Sequence, residues 1–390
     1  MLAPVTMRLC NNAILLLLLA GAMHALGAQQ TVAPVSGASG VSQAVAPLTP
    51  PTPLASQTPL TTPTPQTPLV PPTVDRDPVR SPEGDLPPAA VPAPLRKQGE
   101  GYVLHTDVEE VVLNTTVLDG SRLVPNLKKE NFQVFEDGVK QNLISFQHTD
   151  VPVSIALVVD NSGSMLKKRP AVNKSALDLI QASNPQDEAF VVNFSDEAFI
   201  DQEFTSDVNK LRDGLSHIES RGGTALYDAV VASADKLAAD AKHPKQVLIL
   251  ITDGEDNASG LNLEQTIRRV QQLSGPVIYS VGLLFGDEMT RSEVRHARRA
   301  LEMLSSETGG MAFFPKSIEN IDQIAAEVAQ DVRNQYMLGY HSTKPTTEPG
   351  FRRVQVVAQK DGGGKLSART RTGYFPLVRV VKNTGVVQQK

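Results

Sequence analysis

The chain has 390 residues, enough for one medium domain with appendages or for two domains, and length alone does not decide between these. Its formal net charge of −5 lacks the basic excess that nucleic-acid binding requires, so nucleic acid is excluded as the expected partner. The only cysteine is Cys10, so the chain beyond it has neither a disulfide framework nor a thiolate metal site.

Residues 1–28 predict a secretory signal peptide. Arg8 precedes the apolar run Ala13–Ala20, and small residues follow as far as Ala28. The alternative is an uncleaved membrane anchor, but the run is shorter than the roughly 20 apolar residues that span a bilayer. Cys10 precedes the run, whereas a lipoprotein cysteine would follow it. We therefore expect a secreted, periplasmic or cell-envelope protein with no transmembrane segment after cleavage.

Residues 29–100 differ in composition from the rest of the chain. They contain 17 of the 28 prolines and no Phe, Tyr or Trp. Such a sequence buries too little apolar surface to offset its ordering entropy, which predicts a disordered, Pro- and Thr-rich linker with polyproline II character. A spacer that gives the folded part reach and a passive tail are both consistent with this composition.

Residues 101–150 and 335–377 predict two small β segments, with short apolar runs separated by turn signals. The runs in the second segment, which predict a hairpin or a three-stranded meander, are Gln335–Tyr340, Phe351–Ala358 and Lys365–Tyr374. Each segment is too small to bury a core alone, so we expect the two to pair in one small β-sandwich or sheet. Residues 378–390 are expected to form a frayed tail.

Residues 151–334 alternate apolar strands with amphipathic helices. The predicted strands are near-continuous apolar runs, typical of parallel strands covered on both faces: Ile155–Val159, Ala189–Val192, Val247–Ile251 and Val277–Val281. Apolar residues at helical spacing predict helices over 226–241 and 318–332. This alternation predicts an α/β domain with a doubly wound, mostly parallel sheet and right-handed crossovers.

Polar residues follow two of these strands and open one helix. The first strand ends in Asp160-Asn161-Ser162-Gly163-Ser164, the third ends in Thr252-Asp253, and Gly222-Gly223-Thr224 opens a helix between them. In an open α/β sheet, ligands bind beyond the carboxyl ends of the strands. For any one of these side chains a helix cap or a loop tie is the simpler interpretation. For the full set, a metal site explains the residues better.

These segments resemble the metal ion-dependent adhesion site of von Willebrand factor A domains, over about Val153 to Arg333. The flanking β segments resemble a bacterial subgroup of secreted proteins with this domain. The resemblance implies a Rossmann-like fold and a divalent cation held by Asp160, Ser162, Ser164, Thr224 and Asp253.

Two carboxylates and three hydroxyls suit Mg²⁺, with Mn²⁺ or Ca²⁺ as substitutes; Ca²⁺ is not the first choice, because it takes more oxygens and favours bidentate acids. A position left to water on the cation could then accept a carboxylate from a partner protein or another macromolecule.

Other polar residues have simpler interpretations. Glu255 and Asp256 are expected to be solvated loop acids, and Asp228 either orients the site or lies on a helix surface. A basic run is more typical of a solvated helix face than of a binding patch; its members are Arg291, Arg295, His296, Arg298 and Arg299.

Three functions compete for this sequence. The first is an exported, metal-dependent binding or adhesion module. The second is an accessory subunit of a larger assembly, chelatase-like or in the cell envelope, although an export signal argues against an ATP-driven machine. The third is hydrolysis at the metal, for which the sequence offers no general base in a matching motif, no Gly-x-Ser-x-Gly elbow and no phosphate-binding loop. The sequence therefore predicts a binding protein and not an enzyme.

Overall fold

The computed structural model describes residues 97–98, 101–102 and 110–376, with gaps at 182–183, 218–220, 274, 287–288 and 347. All of them fall in one compact unit of the chain. The expected signal peptide, nearly all of the expected linker and the expected tail lie outside these residues. Within the described ranges, no helix has the length and apolar character needed to cross a membrane.

The N-terminal part of the described chain consists of strands. They are β1 (Lys97–Gln98), β2 (Gly101–Tyr102), β3 (Glu110–Asp119), β4 (Arg122–Leu123), β5 (Phe132–Glu136), β6 (Val139–Gln141) and β7 (Leu143–Gln147). A 3-10 turn over Lys129–Asn131 precedes β5. The turn from β5 to β6 is made by Asp137 and Gly138, both with positive φ, which is the backbone conformation that an Asp-Gly hairpin turn requires.

The central part alternates strands and helices. Its strands are β8 (Val153–Asp160), β9 (Glu188–Phe194), β10 (Ala198–Thr205), β11 (Lys245–Thr252), β12 (Val277–Gly282) and β13 (Ala312–Phe313). Its helices are α1 (Arg169–Gln181), α2 (Val208–Leu215), α3 (Leu226–Asp240), α4 (Leu263–Gln272), α5 (Arg291–Thr308) and α6 (Ile321–Arg333). The predicted strands and helices therefore form where the apolar pattern places them.

These six strands form one sheet in the order β10-β9-β8-β11-β12-β13. The neighbours from β9 to β13 are parallel, and β10 pairs with β9 antiparallel. Side chains on one face, such as Leu157, pack under α1, α2 and α6; those on the other face, such as Val158, pack under α3, α4 and α5. Helices thus cover both faces of the sheet, and the predicted doubly wound α/β fold is confirmed.

The C-terminal strands are β14 (Tyr336–His341), β15 (Arg352–Gln359), β16 (Lys365–Arg369) and β17 (Gly373–Tyr374). With the N-terminal strands they form a second sheet, in the order β6-β5-β15-β16-β3-β14-β7, with β4 on β3 and β17 on β15. β15 and β16 make a hairpin, but β14 lies between β3 and β7, so the three-stranded meander is wrong. The reason is that β14 buries Tyr336 and Leu338 against Leu113 of β3 and its neighbours.

One buried acid joins the two halves of this second sheet. Glu136 of β5 is buried, and its carboxylate accepts hydrogen bonds from the hydroxyls of Tyr340 at 2.8 Å, Tyr374 at 2.9 Å and Ser342 at 2.6 Å. The Arg352 guanidinium lies 3.6 Å from the same carboxylate. Burial and the nearby negative charge raise the pKa of the Tyr340 hydroxyl. Glu136 therefore holds three C-terminal segments on a strand of the N-terminal segment.

The α/β domain is inserted between the two halves of the second sheet, and its two chain ends lie side by side. Arg333, at the end of α6, binds Asp150, just before β8, at 2.6 Å, and also binds Asp187. Nearby, Asp331 accepts hydrogen bonds from the Tyr279 hydroxyl at 2.5 Å and from Arg369 of β16. Charged side chains thus connect the amino-terminal edge of the first sheet with the second sheet.

Candidate metal centre

The candidate site lies at the carboxyl edge of the α/β sheet, where the strand order reverses. β8 and β11 are adjacent and parallel, and Val159 pairs with Ile251. This register brings Asp160, the last residue of β8, and Asp253, the residue after β11, to the same edge. The chain continues from β8 to one side of the sheet and from β11 to the other, which is where ligands bind in doubly wound folds.

Asp160 is fully buried. Its Oδ1 accepts a hydrogen bond from the Ser162 amide at 2.8 Å, and its Oδ2 accepts one from the Thr252 hydroxyl at 2.6 Å. Burial raises the pKa of Asp160 to about 6, opposed by these hydrogen bonds and aided by the charge of Asp253. Burial therefore disfavours the charged form of Asp160, and a cation bound beside it would favour that form.

Hydroxyls connect Asp160 with the second acid. The Ser162 Oγ lies 3.2 Å from the Ser164 Oγ, and Ser164 donates to Oδ1 of Asp253 at 2.7 Å. Ser162 and Asp253 are buried, whereas Ser164 is exposed. Four of the five predicted ligands therefore form one connected network that reaches solvent at Ser164.

The remaining predicted ligand, Thr224, lies in the loop before α3 and is also buried. A Cβ placed on Gly254 would lie 3.4 Å from the Thr224 hydroxyl, so this hydroxyl lies against the backbone that follows Asp253. The N-cap of α3 is Ala225, and the amides of Tyr227 and Asp228 in the first turn donate to Asp256 and Ser259 and not to Thr224. The interpretation of Thr224 as a helix cap is therefore wrong, and its hydroxyl faces the loop that carries Asp253.

The loop after β11 is attached to the start of α3 by acids that the sequence did not identify as structural. Asp256 accepts hydrogen bonds from the Tyr227 amide at 3.1 Å and the Ser259 hydroxyl at 2.5 Å, so the expectation that Asp256 is a solvated acid is wrong. Asp228 accepts from the amides of Gly260 at 2.9 Å and Leu261 at 3.1 Å. Asp228 therefore fixes the loop after β11 to α3 and is not a surface residue without contacts.

Two basic residues beside the centre were not predicted. The Lys168 ammonium donates to Oδ2 of Asp253 at 2.5 Å. The Arg169 side chain is fully buried and donates to the carbonyl of Asp160 at 3.4 Å, to Asn193 at 2.8 Å and to the carbonyl of Leu215 at 3.0 Å. Burial lowers the pKa of Arg169 to about 10. The run Lys167-Lys168-Arg169 carries no sequence signal of this burial, since such runs are usually solvated.

The donor set at this centre suits a small divalent cation. Among the described residues, no group of three or more His, Cys, Asp or Glu side chains is arranged to hold a metal. A cation here would be held by two carboxylates and the hydroxyls, and such oxygen ligands fit Mg²⁺, which keeps part of its water shell. The residues present therefore fit the divalent cation that the sequence resemblance implies.

Residues 155–255 match the family described as "von Willebrand factor type A domain". This segment contains Asp160, Ser162, Ser164, Thr224 and Asp253. The match confirms the resemblance to this family, and the chain therefore carries a von Willebrand factor type A domain. No curated protein is significantly similar to the chain.

Solved structures with similarity to the chain include several proteins with such a domain. A von Willebrand factor type A protein from Catenulispora acidiphila is 15% identical with a TM-score of 0.39, and the alignment covers 57% of this chain but only 66% of that one. The vWF domain of the type V pili tip protein Mfa5 from Porphyromonas gingivalis is 13% identical with a TM-score of 0.38, covering 47% of this chain and 95% of that one. The family assignment rests on the sequence match over residues 155–255.

Proposed function

We propose that this chain, which carries a von Willebrand factor type A domain, is an exported binding protein that holds a divalent cation and grips a carboxylate of a partner protein. The observation that carries the proposal is the network at the carboxyl edge, in which buried Asp160 and Asp253 are joined through Ser162 and Ser164. Two acids close together in a buried site favour positive charge beside them; Lys168 and Arg169 supply part of it, and a divalent cation would add to it.

Each ligand has a distinct part in this proposal. Asp160 and Asp253 supply the negative charge that offsets the cation, with Mg²⁺ first and Mn²⁺ or Ca²⁺ as substitutes. Ser162, Ser164 and Thr224 supply neutral oxygens, which leave the cation enough positive field to attract an acidic group. Ser164 is the exposed member, so the partner approaches from its side. A cation bound by these residues would supply Lewis acidity toward the partner's oxygen.

Binding needs no bond to be made or broken at this centre, and we therefore propose a non-enzymatic role. The proposal that the protein acts outside the cytoplasm, in the envelope or secreted, is supported by the apolar run Ala13–Ala20 and the small residues after it. That run lies outside the described residues.

The test is calorimetric titration of Mg²⁺ into wild-type protein and Asp160→Asn. Asn keeps the shape of the side chain and an acceptor for the Ser162 amide, but it removes the charge, so we expect Mg²⁺ binding to be lost while the fold is retained. Asp178→Asn is the matched control, because Asp178 is a half-exposed acid on α1 that pairs with Lys174.

Partner recovery completes the test. Proteins crosslinked to the wild type and to Asp160→Asn in the native envelope, with Mg²⁺ or with chelator, should differ by the partners that need the cation. If the wild type binds no divalent cation at millimolar concentration, or recovers the same partners in chelator, the five residues are loop ties and the proposed function is wrong.

A further inference from the structure

Three arginines form an exposed stripe along α5. Arg291, Arg295 and Arg299 are spaced four residues apart, so they lie on one face of the helix and span about 12 Å at 1.5 Å per residue. All three side chains are exposed. We call these three residues the arginine stripe.

The acids of α5 are engaged elsewhere. Glu293 accepts a hydrogen bond from the Thr290 amide at 2.6 Å in a capping box, Glu302 faces Arg298 at 3.8 Å, and Glu307 accepts from Gln271 at 3.0 Å. Within the part of the chain that the structure describes, no carboxylate forms an ion pair with the arginine stripe. The three stripe arginines are accessible from solvent, whereas the Arg298 guanidinium lies 3.8 Å from the ring centre of Phe314.

The helix that carries the arginine stripe begins at the same edge of the sheet as the candidate metal centre. β12 is the parallel neighbour of β11, so the chain leaves β12 at the same edge and enters α5 there. The Leu283 amide donates to the Thr252 carbonyl at 2.8 Å. His296 of α5 lies 3.4 Å from Glu255, two residues after Asp253. The first turns of α5 thus contact the loop that carries a predicted ligand.

The spacing of the arginine stripe suits an extended peptide. Successive members are about 6 Å apart along the helix axis, and alternate side chains of an extended chain are about 6.6 to 6.8 Å apart. Acids at alternate positions of one strand could therefore face successive arginines. Met289 and Val294 lie beside Arg291 and Arg295 and offer apolar contact to the residues between the acids.

We propose that the arginine stripe is the second half of the ligand site and binds an extended, acidic segment of a partner protein, one carboxylate of which reaches the cation. This inference rests on the proposed function of the metal centre. A protein segment fits better than a uniform polyanion, because the chain has a net charge of −5 and Glu255 lies at the edge of the stripe. A long polyanion would meet negative charges over more of the surface, whereas a short acidic segment contacts the three arginines and, through one carboxylate, the cation.

The probe is a fluorescent peptide of alternating Glu and Ser, titrated with the full-length protein in Mg²⁺ and in chelator. The combined variant Arg291→Gln, Arg295→Gln and Arg299→Gln should bind the peptide roughly tenfold more weakly than the wild type, as three exposed ion pairs would predict. The loss should be smaller at high salt, because salt screens exposed charges. Calorimetric Mg²⁺ binding should remain, because the stripe holds no predicted ligand.

The control variant removes the same amount of charge elsewhere, through Lys129→Gln, Lys140→Gln and Lys365→Gln, which are all exposed and lie in or beside the second sheet. It should bind the peptide like the wild type; an equal loss would mean that only overall charge matters and would overturn the inference. Tighter binding of a sulfated polysaccharide or duplex DNA than of the peptide, or no peptide binding by the wild type, would also overturn it.

The two proposals fail in different ways. If chelator abolishes peptide binding but the arginine variant binds like the wild type, the stripe is a solvated face, as the sequence alone suggested, and the metal centre stands. If the arginine variant loses binding while chelator has no effect, the stripe binds acidic segments and the metal-dependent function is wrong.

Discussion

Asn257 and Thr224 are joined by two hydrogen bonds, one in each direction. The Asn257 Oδ1 accepts from the Thr224 amide at 2.8 Å, and the Asn257 amide donates to the Thr224 carbonyl at 3.1 Å. The loop after β11 therefore positions two predicted ligands, since it carries Asp253 and holds the backbone of Thr224.

Asn257→Ala should loosen Thr224 without removing any ligand. The Thr224 amide loses its acceptor, which costs about 1 kcal/mol of unfolding free energy. We expect acidic-peptide binding in Mg²⁺ to weaken several-fold, as measured by fluorescence anisotropy, whereas Asn257→Asp keeps the acceptor and should bind better than the alanine variant. Equal binding by the wild type and Asn257→Ala would show that Thr224 is positioned by other contacts.

Asp331→Ala should destabilise the protein at the connection between the two sheets. Its carboxylate accepts from Tyr279 and from Arg369, and removing it leaves a largely buried guanidinium without its counter-ion. We expect a loss of about 3 kcal/mol of unfolding free energy in urea titrations.

The matched control for this change is Asp178→Ala, which breaks an exposed ion pair on α1 and should cost less than about 0.5 kcal/mol. Similar losses in the two variants would mean that Asp331 does not stabilise the connection.

Glu136→Gln should weaken the second sheet. Glutamine keeps one acceptor oxygen, but it leaves buried Arg352 without a negative partner and places an amide where hydroxyls donate. We expect a loss of about 3 kcal/mol, against less than about 0.5 kcal/mol for exposed Glu130→Gln. Both stability losses can be measured by urea unfolding, monitored through the near-ultraviolet circular dichroism of Tyr340 and its neighbours. A stable Glu136→Gln protein would contradict the role given to this acid.

Lys245 should make stability depend on pH above neutrality. Burial lowers the pKa of Lys245 from its ordinary 10.5 to about 8. Between these values the unfolded chain binds more protons than the folded protein, so the free energy of unfolding should rise with pH from about 8 to 10.5, by on the order of 3 kcal/mol. Below pH 8 the lysine is charged in both states, and the full cost of burying the charge remains.

Lys245→Met removes this titration. We expect the variant to lack the rise that the wild type shows in urea titrations at a series of pH values, while exposed Lys365→Met keeps it. Parallel pH profiles for the wild type and Lys245→Met would contradict the low pKa of the buried lysine.

The parts of the fold that the sequence predicted are those whose signal is local. β8 and β11 are apolar throughout because helices cover both faces, and a run such as Val247–Ile251 shows this without knowledge of its neighbours. β10 was not predicted. It is a half-buried edge strand with polar residues and an irregular register against β9, so it has neither a continuous apolar run nor a regular alternation.

The candidate site, like the fold, could be predicted from the sequence only where its signal is local. Its candidate ligands follow strands or open a helix, so Asp160 and Thr224 could be placed from the strand pattern. Lys168 and Arg169 could not, because their burial depends on how the loop after β8 folds back on the sheet. Asp256 was misinterpreted for a related reason: its partners, Tyr227 and Ser259, come together only when the loop after β11 closes on α3.

The insertion of the α/β domain also determines how the molecule would carry mechanical load. The chain enters the domain from β7 and leaves it into β14, and these strands are antiparallel neighbours, with Leu338 opposite Phe146. Force applied through a partner bound at the carboxyl edge of the α/β sheet would pull β7 and β14 in the same direction. The hydrogen bonds between these two strands would then bear little tension. The tension would pass to the six residue pairs between β14 and β3, which would be loaded in shear and would have to break together.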